Sequence, residues 1–153
     1  MRTIKKTLKG MLIIAIATVS ITGCEKYDEG GLISKAEKRL TANTWKLDKY
    51  LRNGNDETSQ LLISNFTEDF SESKTLTRSY TDKDGDAFSE TGTWTFANDK
   101  QQIKLTGVSS IELTDETSTV STSDYNIVKL IKDELWYSYE NGGDSHEFHF
   151  IPN

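Results

Sequence analysis

The sequence predicts an all-β fold: an antiparallel up-and-down β-barrel of about eight strands, preceded by one short helix. Three observations lead there. Beyond Asn43, apolar residues recur at every second position in segment after segment, the period of a strand with one buried face. The segments are separated by short turns bearing Asp, Asn and Gly, so neighbours in sequence are expected to be neighbours in the sheet. Six Tyr, six Phe and three Trp against a single Pro in 153 residues favour strands over helices. A β-sandwich is the alternative, but its Greek-key crossings need longer connections than most of these.

The elements follow in order. Ser34-Lys35-Ala36-Glu37 is a capping-box pattern. With Leu32, Ala36 and Leu40 at spacings of four, it predicts one helix that closes an end of the barrel. Thr44 to Leu51 reads as a strand with Trp45, Leu47 and Leu51 on one face and Lys49 out of pattern. After a polar loop, Leu61-Leu62-Ile63 and Phe66 fit either a strand or a helical turn. Lys74 to Thr81 places Leu76, Arg78 and Tyr80 on one face; Ala87 to Ala97 does the same for Phe88, Glu90, Gly92, Trp94 and Phe96. Further strands are expected at Gln101 to Thr106, Ser110 to Thr114, Asp124 to Ile131, Glu134 to Glu140 and Ser145 to Ile151. A Ser/Thr-rich stretch lies around Thr117 to Ser123. The last connections, Lys132-Asp133 and Asn141 to Asp144, suit hairpins.

One register can be derived. For the apolar faces of the strands around Leu76 and Trp94 to coincide, a three-residue loop Lys83-Asp84-Gly85 is needed. It puts Gly85 third, where a left-handed residue follows a type I turn. Tyr80 then faces Phe88, and Arg78 faces Glu90 on the inner side. An Arg78–Glu90 ion pair is therefore expected in the barrel, either to satisfy two inward charges or to orient a polar ligand head group. The ligand-lining candidates are Arg78, Glu90, Tyr80, Trp94, Tyr137 and Phe148.

Other constellations favour plainer roles. Asp82-Lys83-Asp84-Gly85-Asp86 has alternate acids like a calcium loop, but lacks the EF-hand spacing and reads as a turn. His146 and His149, three apart on a strand, face opposite sides and cannot share a metal. Trp136, Tyr137 and Tyr139 suit a stacking platform or, more simply, barrel filling. No nucleophile has a recognisable base, so binding is expected rather than catalysis, with no metal or cofactor.

The N-terminus carries an address. Arg2, Lys5, Lys6 and Lys9 precede an apolar run from Met11 to Ile21 and the single Cys, Cys24. This is a secretory signal over residues 1–23, too short to span a bilayer. Ile21-Thr22-Gly23-Cys24 resembles the lipobox of bacterial lipoproteins. The resemblance implies cleavage before Cys24, a diacylglyceryl group on its sulfur and acylation of the new amino group. Residues 24–33 then read as the lipidated Cys and a flexible tether, and residues 34–153 as the barrel domain. The acids after Cys24 resemble surface-export signals of some Gram-negative lipoproteins, though a solvated linker looks the same. The signal holds four of 18 basic residues and none of the 24 acids, leaving 14 against 24, a net charge of −10. So acidic a chain is unsuited to nucleic acid or anionic lipid surfaces.

The short helix, the Trp that follows it and the run of hairpins resemble lipocalin-like domains of the calycin group, over roughly residues 34–151. The family opens its first strand with Gly-x-Trp, matched at Trp45 of Asn43-Thr44-Trp45 but not at the Gly. Its late Thr-Asp-Tyr is matched by Ser123-Asp124-Tyr125, and its late Arg over the first-strand Trp has no counterpart after Arg78. The resemblance implies a barrel that binds a small apolar or amphipathic ligand. With the lipobox, it implies a protein lipid-anchored to the outer membrane, on its periplasmic or surface-exposed side. A filled barrel that docks an envelope protein partner is the alternative.

Overall fold

A computed structural model of the chain describes residues 35–108 and 124–153. The signal, Cys24, the tether, Ser34 of the capping box and the expected strand at Ser110 to Thr114 lie outside the described residues, as does the stretch around Thr117 to Ser123.

Helix α1 (Lys35–Leu40) leads into β1 (Thr44–Arg52). A two-residue strand β2 (Asn55–Asp56) and a 3-10 turn (Thr58–Gln60) follow. The remaining strands are β3 (Ser64–Phe70), β4 (Thr75–Thr81), β5 (Ala87–Ala97), β6 (Gln102–Thr106), β7 (Asp124–Leu130), β8 (Leu135–Asn141) and β9 (Asp144–Pro152). From β3 to β9 each strand pairs antiparallel with the next, β1 pairs with both β3 and β9, and β2 only extends one edge of β1. Among the described residues, eight strands therefore close into an up-and-down barrel, which leaves none of these eight at an open edge.

One end is shut by α1. Ala36 and Leu40 are fully buried, and the Trp45 indole Nε1 donates to the Leu40 carbonyl at 2.7 Å. That carbonyl is among those a helix C-terminus leaves without an internal partner. Trp45 thus fills the closed end with its ring and satisfies the helix with its N–H. Lys74 Nζ pairs with Glu37 and lies 4.1 Å from the Trp94 ring centre, fastening the β3–β4 connection to the helix.

The β4–β5 hairpin has the derived register, with Arg78 opposite Glu90 and Tyr80 opposite Phe88. Gly85 sits at φ +90°, and its N–H donates to the Asp82 carbonyl at 3.2 Å. The Asp82 carboxylate accepts the amides of Asp84 and Asp86, both at 2.9 Å. The acids of this loop build a turn. Farther along β5, a Cβ on Gly92 would lie 2.3 Å from the Thr106 carbonyl oxygen. Only glycine lets the backbone leaving β6 lie against β5, with Val108 packed on the core.

Two expectations need correction. Leu51 does not share the face of Trp45, because Asp48 is an extra residue between Leu47↔Phe150 and Lys49↔His149. The bulge reverses the alternation, turning Tyr50 inward to full burial and accounting for Lys49. The undecided segment at 61–66 is a strand only from Ser64, and it runs on to Phe70 with Phe66, Glu68 and Phe70 buried.

Truncation of Trp45 to Ala removes ring and indole donor together. It should cost about 3–5 kcal/mol, the range for a large buried aromatic. Equal denaturant midpoints for variant and wild type would contradict this reading of the closed end.

Candidate functional site

Strand alternation puts Glu68 of β3, Arg78 of β4 and Glu90 of β5 in one inward row, because Glu68 pairs with Arg78 and Arg78 with Glu90. Arg78 Nε and Nη2 donate to Glu68 Oε1 at 3.0 and 2.7 Å. Both side chains are buried, 3% and 0% exposed. The other carboxylate oxygen, Oε2, accepts the Tyr137 hydroxyl at 3.0 Å, and Tyr125 is hydrogen-bonded to Arg78. Tyr137 lies on β8 and Tyr125 on β7, each separated by two strands from its partner's strand. These bonds therefore cross the lumen and form a polar floor.

The floor is electrically balanced. Burial by itself would lower the Arg78 pKa, but the Glu68 carboxylate beside it keeps the guanidinium charged, above its ordinary value. Burial pushes Tyr125 up to about 12. Burial and then the Glu68 charge hold Tyr137 well above its ordinary value. Both phenols thus remain hydroxyls at neutral pH.

Toward the end opposite α1 the lining becomes aromatic. Phe66 stacks on Tyr80 (6.4 Å between centres) and Tyr80 on Phe88 (5.3 Å). The Arg78 guanidinium lies 5.5 Å from the Phe66 centre. The series runs from buried Phe66 through half-buried Tyr80 to Phe88, 43% exposed. Opposite, Tyr139 stacks on His146 (4.6 Å), and the Tyr50 hydroxyl is hydrogen-bonded to His146 Nδ1 at 2.7 Å. The Tyr139 hydroxyl is buried with no hydrogen-bond partner among the described residues. At the rim Arg52 grips Asp144 through Nε (2.9 Å) and Nη2 (2.6 Å).

Of the residues chosen from sequence, Arg78, Glu90, Tyr80, Tyr137 and Phe148 converge on this upper interior, Glu90 half-buried opposite Arg78. Trp94 does not; it lies two inward positions below Glu90, with Nε1 donating to Ser71 O at 3.0 Å. Trp136 faces outward, stacked on His149 at 3.9 Å, so it forms no platform with the inward Tyr137 and Tyr139. Cys24 lies outside the described residues. Glu68 was missed. Its signal is Phe66-Thr67-Glu68-Asp69-Phe70, where two aromatics four apart share a strand face with the residue midway between them.

A closed eight-stranded meander with a helix at one end is a lipocalin-like fold. Among solved structures, the chain is similar to a lipocalin-like protein from Bacteroides uniformis (15% identity over 74% of this chain and 99% of that one, TM-score 0.49). It is similar to japanin from Rhipicephalus appendiculatus, solved bound to cholesterol (12% identity, 74% and 76%, TM-score 0.48). An uncharacterised protein from Bacteroides eggerthii is also similar (13% identity, 72% and 98%, TM-score 0.46). No family model and no curated protein matches the chain. At these identities the likeness is one of fold.

The ion pair can be tested by a double-mutant cycle. Arg78→Met or Glu68→Gln alone should cost about 3–5 kcal/mol, because each strands a buried partner. The double variant should cost well below the sum. Additive denaturation free energies would mean that the two side chains do not meet.

His146 supplies a pH dependence. Burial first, then the nearby Arg52 charge, lowers its pKa below the ordinary 6.5, while Asp144, Glu140 and Glu57 pull the other way. The unfolded chain therefore takes up this proton before the folded one does. The stabilisation is complete above pH 6.5 and declines as pH falls through 6.5 to the folded value. Denaturant midpoints measured from pH 7.5 down to 5.5 should fall, and His146→Gln, which keeps His149, should flatten that fall.

Proposed function

We propose that this is a lipid-anchored cell-envelope protein of the outer membrane whose barrel binds a small apolar or amphipathic ligand at its open end. One observation carries the binding reading. The aromatic series Phe66–Tyr80–Phe88 grades from buried to exposed above a polar floor. Barrel mouths of this composition, apolar with a few convergent polar groups, are favoured ligand sites. The floor sets the depth, so a ligand sits in the upper half of the barrel. The expected anchor at Cys24 fits this arrangement. The chain enters the barrel through α1 at the closed end, so a tether there would leave the mouth directed away from the membrane.

A filled barrel that docks an envelope protein has its own support. The cross-lumen bonds of Tyr137 and Tyr125 occupy the middle of the barrel, and Val128, Ile131 and Ile151 are exposed on the outside.

Native mass spectrometry of protein purified from its own envelope separates the two. The carrier reading expects a retained small molecule that unfolding releases; a bare mass in repeated preparations would leave the docking reading. In the same cells, Cys24→Ala should abolish incorporation of a fatty-acid analogue, since the chain has no other thiol. Continued labelling of the variant would refute the anchor.

A further inference from the structure

We infer that the mouth selects an uncharged, hydrogen-bonding amphiphile, with an alcohol- or amide-like head group, and discriminates against carboxylates such as fatty-acid anions. This rests on the carrier reading above and specifies its ligand.

A carboxylate head group entering a low-dielectric lumen needs a cation with spare charge. The guanidinium of the floor, Arg78, already gives Nε and Nη2 to Glu68 Oε1. Directly across β5, Glu90 adds a second carboxylate to the same inward row. Arg52, at the rim, is held twice by Asp144. An approaching anion therefore meets cations already matched by carboxylates, with Glu90 beside its path. An ammonium head group finds only Glu90 near its path, and that carboxylate sits opposite the Arg78 guanidinium. Glu68 is the deep carboxylate, and its two oxygens already accept from Arg78 and Tyr137.

Beyond this charged row, what the upper interior offers is neutral. The Tyr139 hydroxyl is buried without a partner among the described residues. Burial first, then the Tyr50 and Tyr125 hydroxyls, raises its pKa, so it stays protonated. The Tyr139 ring meets Tyr125 edge to face (5.7 Å between centres) and stacks on Phe148 (6.0 Å). A buried hydroxyl that gives up water without a replacement is unfavourable. A ligand hydroxyl or amide supplies that replacement with no charge to desolvate, while its apolar body lies along Tyr80 and Phe88.

The test uses three probes of equal chain length, 1-decanol, decanoate and decylammonium, titrated calorimetrically into the purified protein at pH 7.5. Decanol should bind at least tenfold more tightly than either ion. Tyr139→Phe should weaken decanol about five- to tenfold, the scale of one neutral hydrogen bond. It should leave the denaturant midpoint equal or higher, because an unsatisfied buried hydroxyl is gone. Glu90→Gln should narrow the gap between decanol and decanoate. Equal or tighter binding of decanoate or decylammonium would overturn the inference while leaving the carrier reading intact. Unchanged decanol affinity in Tyr139→Phe would overturn it too, assigning that hydroxyl to a bound water. Binding of none of the three would overturn the carrier reading itself.

Discussion

The buried pair of Glu68 and Arg78 is the constraint on which the rest of the interior depends. Two charges removed from water are tolerable only when each meets the other in good geometry and the remaining lone pairs and protons are used. Here Arg78 donates twice to one carboxylate oxygen, and Tyr137 donates to the other. Because Glu68 and Arg78 are also register partners in the β3–β4 ladder, a slip of one residue would turn one charge to the outer face and strand its partner inside. Apolar packing tolerates substitution and small shifts. This pair tolerates neither, so it specifies one register where hydrophobic alternation alone would permit neighbours of similar energy.

The tyrosines extend the constraint across the lumen. Tyr137 on β8 and Tyr125 on β7 tie the second half of the barrel to β3 and β4. Closure therefore depends on the interior as well as on the β1–β9 ladder. The same bonds divide the barrel into two chemistries. Below them, Trp45, Phe70, Leu76, Trp94, Leu130 and Leu135 are buried in an apolar core under α1. Above them the lining is aromatic, with isolated hydroxyl and imidazole groups.

Much of the architecture was legible in the sequence, because it follows from local rules. Alternation located most strands, Gly85 fixed the β4–β5 turn, and the spacing of Ala36 and Leu40 marked the helix that closes one end. The failures were of another kind. Asp48 and the residue Val128 between Ile127 and Lys129 are bulges, which leave no compositional mark yet reverse the phase of everything after them. Strand β3 was obscured because Glu68 reads as a solvent residue until its partner is known. Hairpin arithmetic found Glu90 opposite Arg78, since it connects residues close in sequence. The carboxylate seen to hold the guanidinium comes from the other neighbouring strand, across a turn whose register no local rule supplied.

The Asp48 bulge shows how closely fold and site are joined. Without the extra residue, the phase set by Trp45 and Leu47 would continue, turning Lys49 and Leu51 inward and Tyr50 out. Tyr50 would then lose His146, whose imidazole lies buried between Tyr50 and Tyr139. Lys49 would bring a positive charge into the upper barrel. The bulge is thus what keeps the wall formed by β1 and β9 neutral and aromatic. A single inserted residue at the middle of the first strand decides whether this end of the barrel presents a cation or a hydroxyl-bearing aromatic surface, and so, on the proposed reading, which head groups it would admit.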